Sequence, residues 1–88
     1  MQGRRVYPNE EGDLVLAEGD YGIDPRSGHW MARPPGEHMG DLSNHEVVEH
    51  EDGTITVSPS ILITAYSESA GEKTTWHGFL EHGTWREA

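Results

Sequence analysis

The stretch Glu46-Val-Val-Glu-His-Glu-Asp-Gly-Thr-Ile-Thr-Val57 constrains the fold of this chain more than any other. Two runs rich in β-branched residues flank Asp52–Gly53. Asp-Gly between such runs signals a β-hairpin, because glycine accepts the positive φ that a tight turn requires. The same chemistry returns near the end of the chain, where Trp76-His-Gly-Phe-Leu80 and Thr84-Trp-Arg86 flank His82–Gly83. Glu51-Asp-Gly-Thr54 and Glu81-His-Gly-Thr84 both read Glu-x-Gly-Thr, an echo that shared turn chemistry explains without a duplication. No stretch sustains an apolar period of 3.6 residues, so no helix is expected.

The remaining segments extend this β reading. Asp13-Leu-Val-Leu-Ala17 is apolar enough for a strand, and Tyr21–Ile23 reads as the next one. Asp24-Pro-Arg-Ser-Gly28 is a turn, since proline fixes φ and glycine permits positive φ. His29–Ala32 then pairs back. Residues 34–44 read as a surface loop and Ser58–Pro59–Ser60 as a turn. Ile61–Tyr66 is the most β-prone segment and is expected at the centre of a sheet, with a polar loop from Ser67 to Thr75. Residues 1–12 are expected to form a flexible N-terminal arm and residues 13–88 a single β domain. The fold class is therefore all-β: one small domain of about six short, mostly antiparallel strands in a roll or sandwich, with hairpins at Asp52–Gly53 and His82–Gly83.

Composition narrows the chemistry. The chain of 88 residues has room for one small core. It has no Cys, which excludes disulfides, a thiolate nucleophile and cysteine-ligated metal centres. MQGRRVYPNEEGD carries no apolar stretch behind its arginines, so it does not read as a signal peptide. The apolar runs Leu14–Ala17 and Ile61–Ile63 are too short to span a bilayer. A soluble, cytoplasmic protein is expected.

Charge is the strongest global feature. The formal net charge is −10, and no Lys or Arg falls between Arg33 and Lys73. Glu37, Asp41, Glu46, Glu49, Glu51, Asp52, Glu68 and Glu72 all lie in that interval. Nucleic acids and anionic membranes require a basic face, so neither is expected as a direct partner. A basic protein would be attracted instead. Glu37, Asp41, Glu46, Glu49, Glu51 and Asp52 are the candidate partner-binding surface. An unperturbed histidine titrates near pH 6.5, so protonating six of them moves the formal charge from −10 towards about −4.

No catalytic pattern emerges. Asn44-His-Glu-Val-Val-Glu-His50 superficially resembles a zinc-protease signature, but His45 and His50 stand one residue too far apart to share a helical face. On a strand, His45, Val47 and Glu49 take one side and Glu46, Val48 and His50 the other, so either set would need ligands from elsewhere. No native metal site or cofactor is expected, although six histidines favour adventitious zinc or nickel binding. There is no Gly-x-Ser-x-Gly elbow, and the carboxylates are too numerous for any pair to be diagnostic. The chain does not read as an enzyme. In the Trp76–Leu80 strand, Trp76, Gly78 and Leu80 share one face and His77 and Phe79 the other. Trp30, Trp76 and Trp85 either form the core of a domain poor in Leu and Phe or converge on an aromatic box for a cation.

Asp52-Gly-Thr-Ile-Thr-Val-Ser-Pro-Ser-Ile61, then Trp76-His-Gly-Phe-Leu80 and Gly83-Thr-Trp85, resembles a group of small phage and prophage proteins of unknown function. Those carry a DGT-β-SPSI segment, an aromatic–His strand and a final hairpin. The resemblance covers residues 50–86 and implies a compact all-β domain encoded by a bacteriophage. More distant relatives look like zinc-bearing β-domains with cysteine ligands, a site this chain cannot reproduce. What it implies of a surviving pocket is a lining of Ser58, Ser60, Trp76 and His77, which Trp30 would extend. The expected function is a non-enzymatic phage accessory protein, an acidic inhibitor or decoy for a basic, nucleic-acid-binding host protein such as a defence factor. The alternatives are a small-ligand or metal-binding β-domain using Trp76 and His77, or a virion assembly protein whose copies pair through an edge such as 84–86.

Overall fold

The computed structural model describes residues 1–67 and 72–88, which form two four-stranded sheets and no helix. The first sheet contains β1 (Arg4–Arg5), β2 (Asp20–Ile23), β3 (Trp30–Ala32) and β4 (Gly40–Asp41), in that order. The second contains β5 (Glu46–Glu49), β6 (Ile55–Ser67), β7 (Glu72–Glu81) and β8 (Thr84–Glu87), again in sequence order. Neighbours are antiparallel except β1 and β2, which are parallel. The all-β expectation holds, with eight strands and both hairpins in place.

Alternation along the strands builds the core. Ile55, Val57 and Ile61 of β6, Trp76 and Leu80 of β7 and Trp85 of β8 are buried, and they meet Tyr21 and Ala32 of the first sheet and Leu42 between β4 and β5. Side chains two residues apart share a face, so one face of each sheet is apolar. Trp76 and Trp85 meet edge to face, with ring centroids 5.5 Å apart, an arrangement the ring quadrupoles favour. A Cβ at Gly78 would run into the Trp76 ring and the Arg86 carbonyl, so glycine makes room for the indole on its own strand. Trp76 and Trp85 are thus core residues, while Trp30 packs at the core margin.

Both hairpins follow their turn chemistry. Glu81 pairs with Thr84, leaving a two-residue loop in which His82 and Gly83 have φ of 47° and 75°, as a type I′ turn requires. In the first hairpin, the Gly53 N–H donates to the His50 carbonyl at 3.0 Å, and His50 N–H to the Thr54 carbonyl at 2.8 Å. Gly53 has φ of 87°, so a turn closed by a left-handed glycine links β5 to β6.

Four expectations between residues 13 and 75 need correction. Asp13–Ala17 is not a strand: the Arg33 guanidinium donates to the Leu16 carbonyl at 3.1 Å, and the Ala17 N–H to the Asp20 carboxylate at 2.9 Å. Its apolar character serves Leu16, which is buried, while Val15 is exposed. The 34–44 loop contains β4. Ser58–Pro59–Ser60 lies within β6, where the register slips between Val57↔Leu80 and Ile61↔Gly78. Proline lacks the ladder donor, so a strand accommodates it at such a bulge. β6 runs through Ser67 and β7 begins at Glu72, so both ends of the expected 67–75 loop are strand, while residues 68–71 lie outside the described residues. β6 does lie between two partners, although β5 covers only its first residues.

The N-terminal segment, expected as a flexible arm, is instead built into the domain. The Met1 ammonium donates to the Trp85 carbonyl at 3.2 Å, and the Trp85 N–H returns a bond to the Met1 carbonyl at 2.8 Å. Gly3 N–H donates to the Gly83 carbonyl, and Val6 N–H to the Tyr21 carbonyl at 2.8 Å. Residues 1–6 therefore run from the edge of β8 to β2 and join the two sheets. They also cover the 84–86 edge that the sequence left open to other copies.

Candidate functional site

The candidate acidic residues are carried by several elements of the fold. Glu46 and Glu49 lie on β5, and Glu51 and Asp52 in the turn that follows it, so these four share one edge of the second sheet. Asp41 lies on β4, the edge of the other sheet. Glu37 is half-buried in a groove with Met1, Trp85 and Glu87, on the β8 side. β5 with its turn carries four of the six.

Three of these carboxylates already have work within the fold. The Asp52 carboxylate accepts the Thr54 hydroxyl at 2.6 Å and the Thr54 N–H at 3.0 Å, fixing the turn. These bonds, the hydroxyl's first, hold its carboxyl below the ordinary range. Asp41 bonds the His29 ring at 3.0 Å and accepts the Ser43 N–H at 2.7 Å, which lowers its carboxyl in the same way, His29 contributing most. Glu49 accepts Arg5.

Arg5 enters the space between the sheets, where its side chain is only 14% exposed. Its guanidinium carbon lies 4.7 Å from the Tyr7 ring centroid and 4.5 Å from that of Trp30. Two aromatic faces and one carboxylate therefore hold a single cation at the margin of the core. Trp30 is engaged here, and the expected aromatic box contains the chain's own arginine. Beside it, burial raises the Tyr21 phenol above its ordinary pKa of 10.0; the Asp52 charge adds to the shift and Arg5 opposes it.

The other arginines are also occupied. Arg4 pairs with Asp20 at 3.2 Å, Arg26 with Asp13, and Arg86 with Glu81 at 2.8 Å. Arg33 donates to the carbonyls of Glu37 and Leu16 at 2.8 and 3.1 Å.

The candidate pocket residues separate by sheet face. Ser60 Oγ and His77 Nε2 are hydrogen-bonded at 2.8 Å on the outer face of the second sheet. Ser58 and Ser60 line a groove of about 450 Å³ with Pro59, Phe79 and Glu81. Trp76 points to the opposite face of the same strand, and Trp30 lies in the other sheet, so neither joins this groove. A serine bonded to a histidine supplies the nucleophile and base of a triad without its third member. Among the described residues no carboxylate bonds His77 to orient it, and no oxyanion-binding group is apparent.

One arrangement escaped sequence reasoning. His50 and His82, one from each hairpin turn, stack with ring centroids 3.9 Å apart and an interplanar angle of 11°. Thr56 Oγ1 ties them together, bonding His50 Nε2 at 2.7 Å and accepting the His82 N–H at 3.0 Å. The repeated Glu-x-Gly-Thr marked both turns but not their adjacency in space. His45 is held separately, its Nε2 donating to the Ser60 carbonyl at 3.2 Å. Among the described residues no group of three His, Asp or Glu side chains converges to hold a metal ion. No family model, curated protein or solved structure matches the chain.

Proposed function

We propose that the protein is a non-enzymatic phage accessory module that acts in the host cytoplasm by occupying a basic, nucleic-acid-binding surface of a host protein. The observation that carries this reading is the fate of the positive charge. All five arginines are bonded within the chain, whereas Glu46 and Glu51 stand exposed on a molecule of net charge −10. Among the described residues the surface therefore has surplus carboxylates, and each arginine already has a partner within the chain. Carboxylates of β5 and its turn would take the places of phosphates on the partner. Such recognition associates fast and weakens steeply with salt, because it works through the field of the whole surface. The phage context comes from the resemblance of residues 50–86.

The test is to immobilise the protein, pass a bacterial lysate over it and elute with rising salt. A basic, nucleic-acid-binding protein should come off at moderate salt and be displaced by duplex DNA or RNA. It should be lost with Glu46→Lys/Glu51→Lys. Capture indifferent to salt and to those substitutions would overturn the reading.

The Ser60–His77 bond beside Phe79 favours a second reading, a small polar ligand held in the outer groove. An NMR screen of small polar compounds tests it: a hit should shift the signals of residues 56–60 and vanish in His77→Ala, and the absence of any such hit removes this reading.

A further inference from the structure

An edge strand turns half of its main-chain donors and acceptors away from the sheet. In β5 the ladder identifies that half. His50 N–H donates to the Thr54 carbonyl at 2.8 Å, so His50–Thr54 is a hydrogen-bonded pair. Bonded and non-bonded pairs alternate along an antiparallel ladder. Val48–Thr56 and Glu46–Ser58 are therefore bonded pairs too, and the main-chain groups of Val47 and Glu49 face away from β6. Among the described residues no other backbone group bonds them. The opposite edge of the sheet differs, since Met1 covers the outward groups of Trp85.

From this geometry we infer that β5 accepts an extended Lys/Arg-bearing segment of the partner as an additional strand, hydrogen-bonded to the main chain of Val47 and Glu49. The inference rests on the basic-partner reading above and adds the mode of recognition. Charge selects the occupant. A second copy of this chain would bring its own Glu46, Glu49, Glu51 and Asp52 against the same residues, and like charges facing each other across strands are destabilising. A basic segment meets those carboxylates favourably. Side-chain alternation adds a pattern: Glu46 and Val48 lie on the outer face, and Val48 is 47% exposed. The added strand then places Lys or Arg opposite Glu46 and an apolar residue two positions along, opposite Val48. The Glu49 side chain remains with Arg5 and supplies only its main chain.

The experiment is amide hydrogen exchange on the intact chain with two synthetic probes. One is a Lys-Val peptide with the repeat Lys-Thr-Val-Thr, which sets Lys and Val alternately along one face. The other has equal charge but carries proline at alternate positions, and so cannot complete a ladder. The Lys-Val peptide should slow exchange at Val47 and Glu49 about tenfold, the scale of one net hydrogen bond. Val48, already bonded to Thr56, should change little, and the proline-bearing peptide should bind more weakly and protect neither position. Salt-sensitive binding of both peptides without protection at Val47 and Glu49 would overturn strand addition and leave the basic-partner reading standing. Failure of both peptides to bind would count against that reading itself. Dimerisation of the chain alone, with Val47 and Glu49 protected, would make a second copy the occupant and overturn the inference.

Discussion

Arg5 carries a charge into the space between the sheets, and the structure tolerates it because Glu49, Tyr7 and Trp30 meet it from three directions. A partly desolvated cation–π contact and a partly screened ion pair together suggest that Arg5→Ala destabilises by about 1–3 kcal/mol. In a domain of this size the melting temperature should then fall by roughly 4–8 °C per kcal/mol. Arg5→Lys should recover only part of that loss, since an ammonium neither stacks between rings nor presents a planar fork. Full recovery in a thermal melt would reduce the site to a simple charge pair. Tyr21 makes a second prediction at this scale. Its folded pKa is raised above 10.0, so its stabilising contribution is present below pH 10.0 and lost as the pH rises through the folded value. The stability of the wild type relative to Tyr21→Phe, read from urea midpoints, should decline in that alkaline window.

The two hairpins show what local sequence can and cannot convey about an element. Asp52–Gly53 and His82–Gly83 were legible because positive φ is a local demand that few residues meet. The inward alternation of Trp76, Gly78 and Leu80 was legible for the same reason, being a matter of spacing. β1 and β4, with two residues each, were not, because their pairing depends on the strands beside them. Asp13–Ala17 misled in the other direction, its apolar side chains serving a segment held by Arg33 and Asp20. Proline in β6 read as a turn because the bulge that absorbs it is a relation between two strands. At Gly83 the turn is also a packing site: a Cβ there would lie 2.8 Å from the Tyr21 hydroxyl and 3.0 Å from Thr54. Gly83→Ala combines strain at positive φ with this overlap and should cost about 1–3 kcal/mol in chemical denaturation. The Asp52 turn should respond to acid. Its depressed carboxyl contributes fully above the unfolded value of about 3.9, and the contribution is lost as the pH falls from there through the folded value. Asp52→Asn keeps an acceptor without that titration, so the wild type should lose stability relative to it in acid; parallel curves would exclude the effect.

For the whole molecule, net charge was read directly from the sequence, but its distribution was not. Glu37, Asp41 and the β5 carboxylates are close in sequence but carried by different parts of the fold, Asp41 on β4 and Glu37 in the groove beside Trp85. If the remaining acidic field recruits the partner, affinity should fall steeply as the ionic strength rises from about 0.05 to 0.5 M. Calorimetry against the captured protein would check this, and constant affinity would exclude an electrostatic mode. The segment from Met1 to Val6 has a different kind of consequence. It connects positions at opposite ends of the sequence, with Met1 bonded to Trp85 and Gly3 to Gly83. That seam cannot form until β8 exists, and closing so long a loop has an entropic cost before any contact offsets it. Formation of the hairpin at His82–Gly83 is therefore the event that permits closure, and a non-local pairing of this kind slows folding.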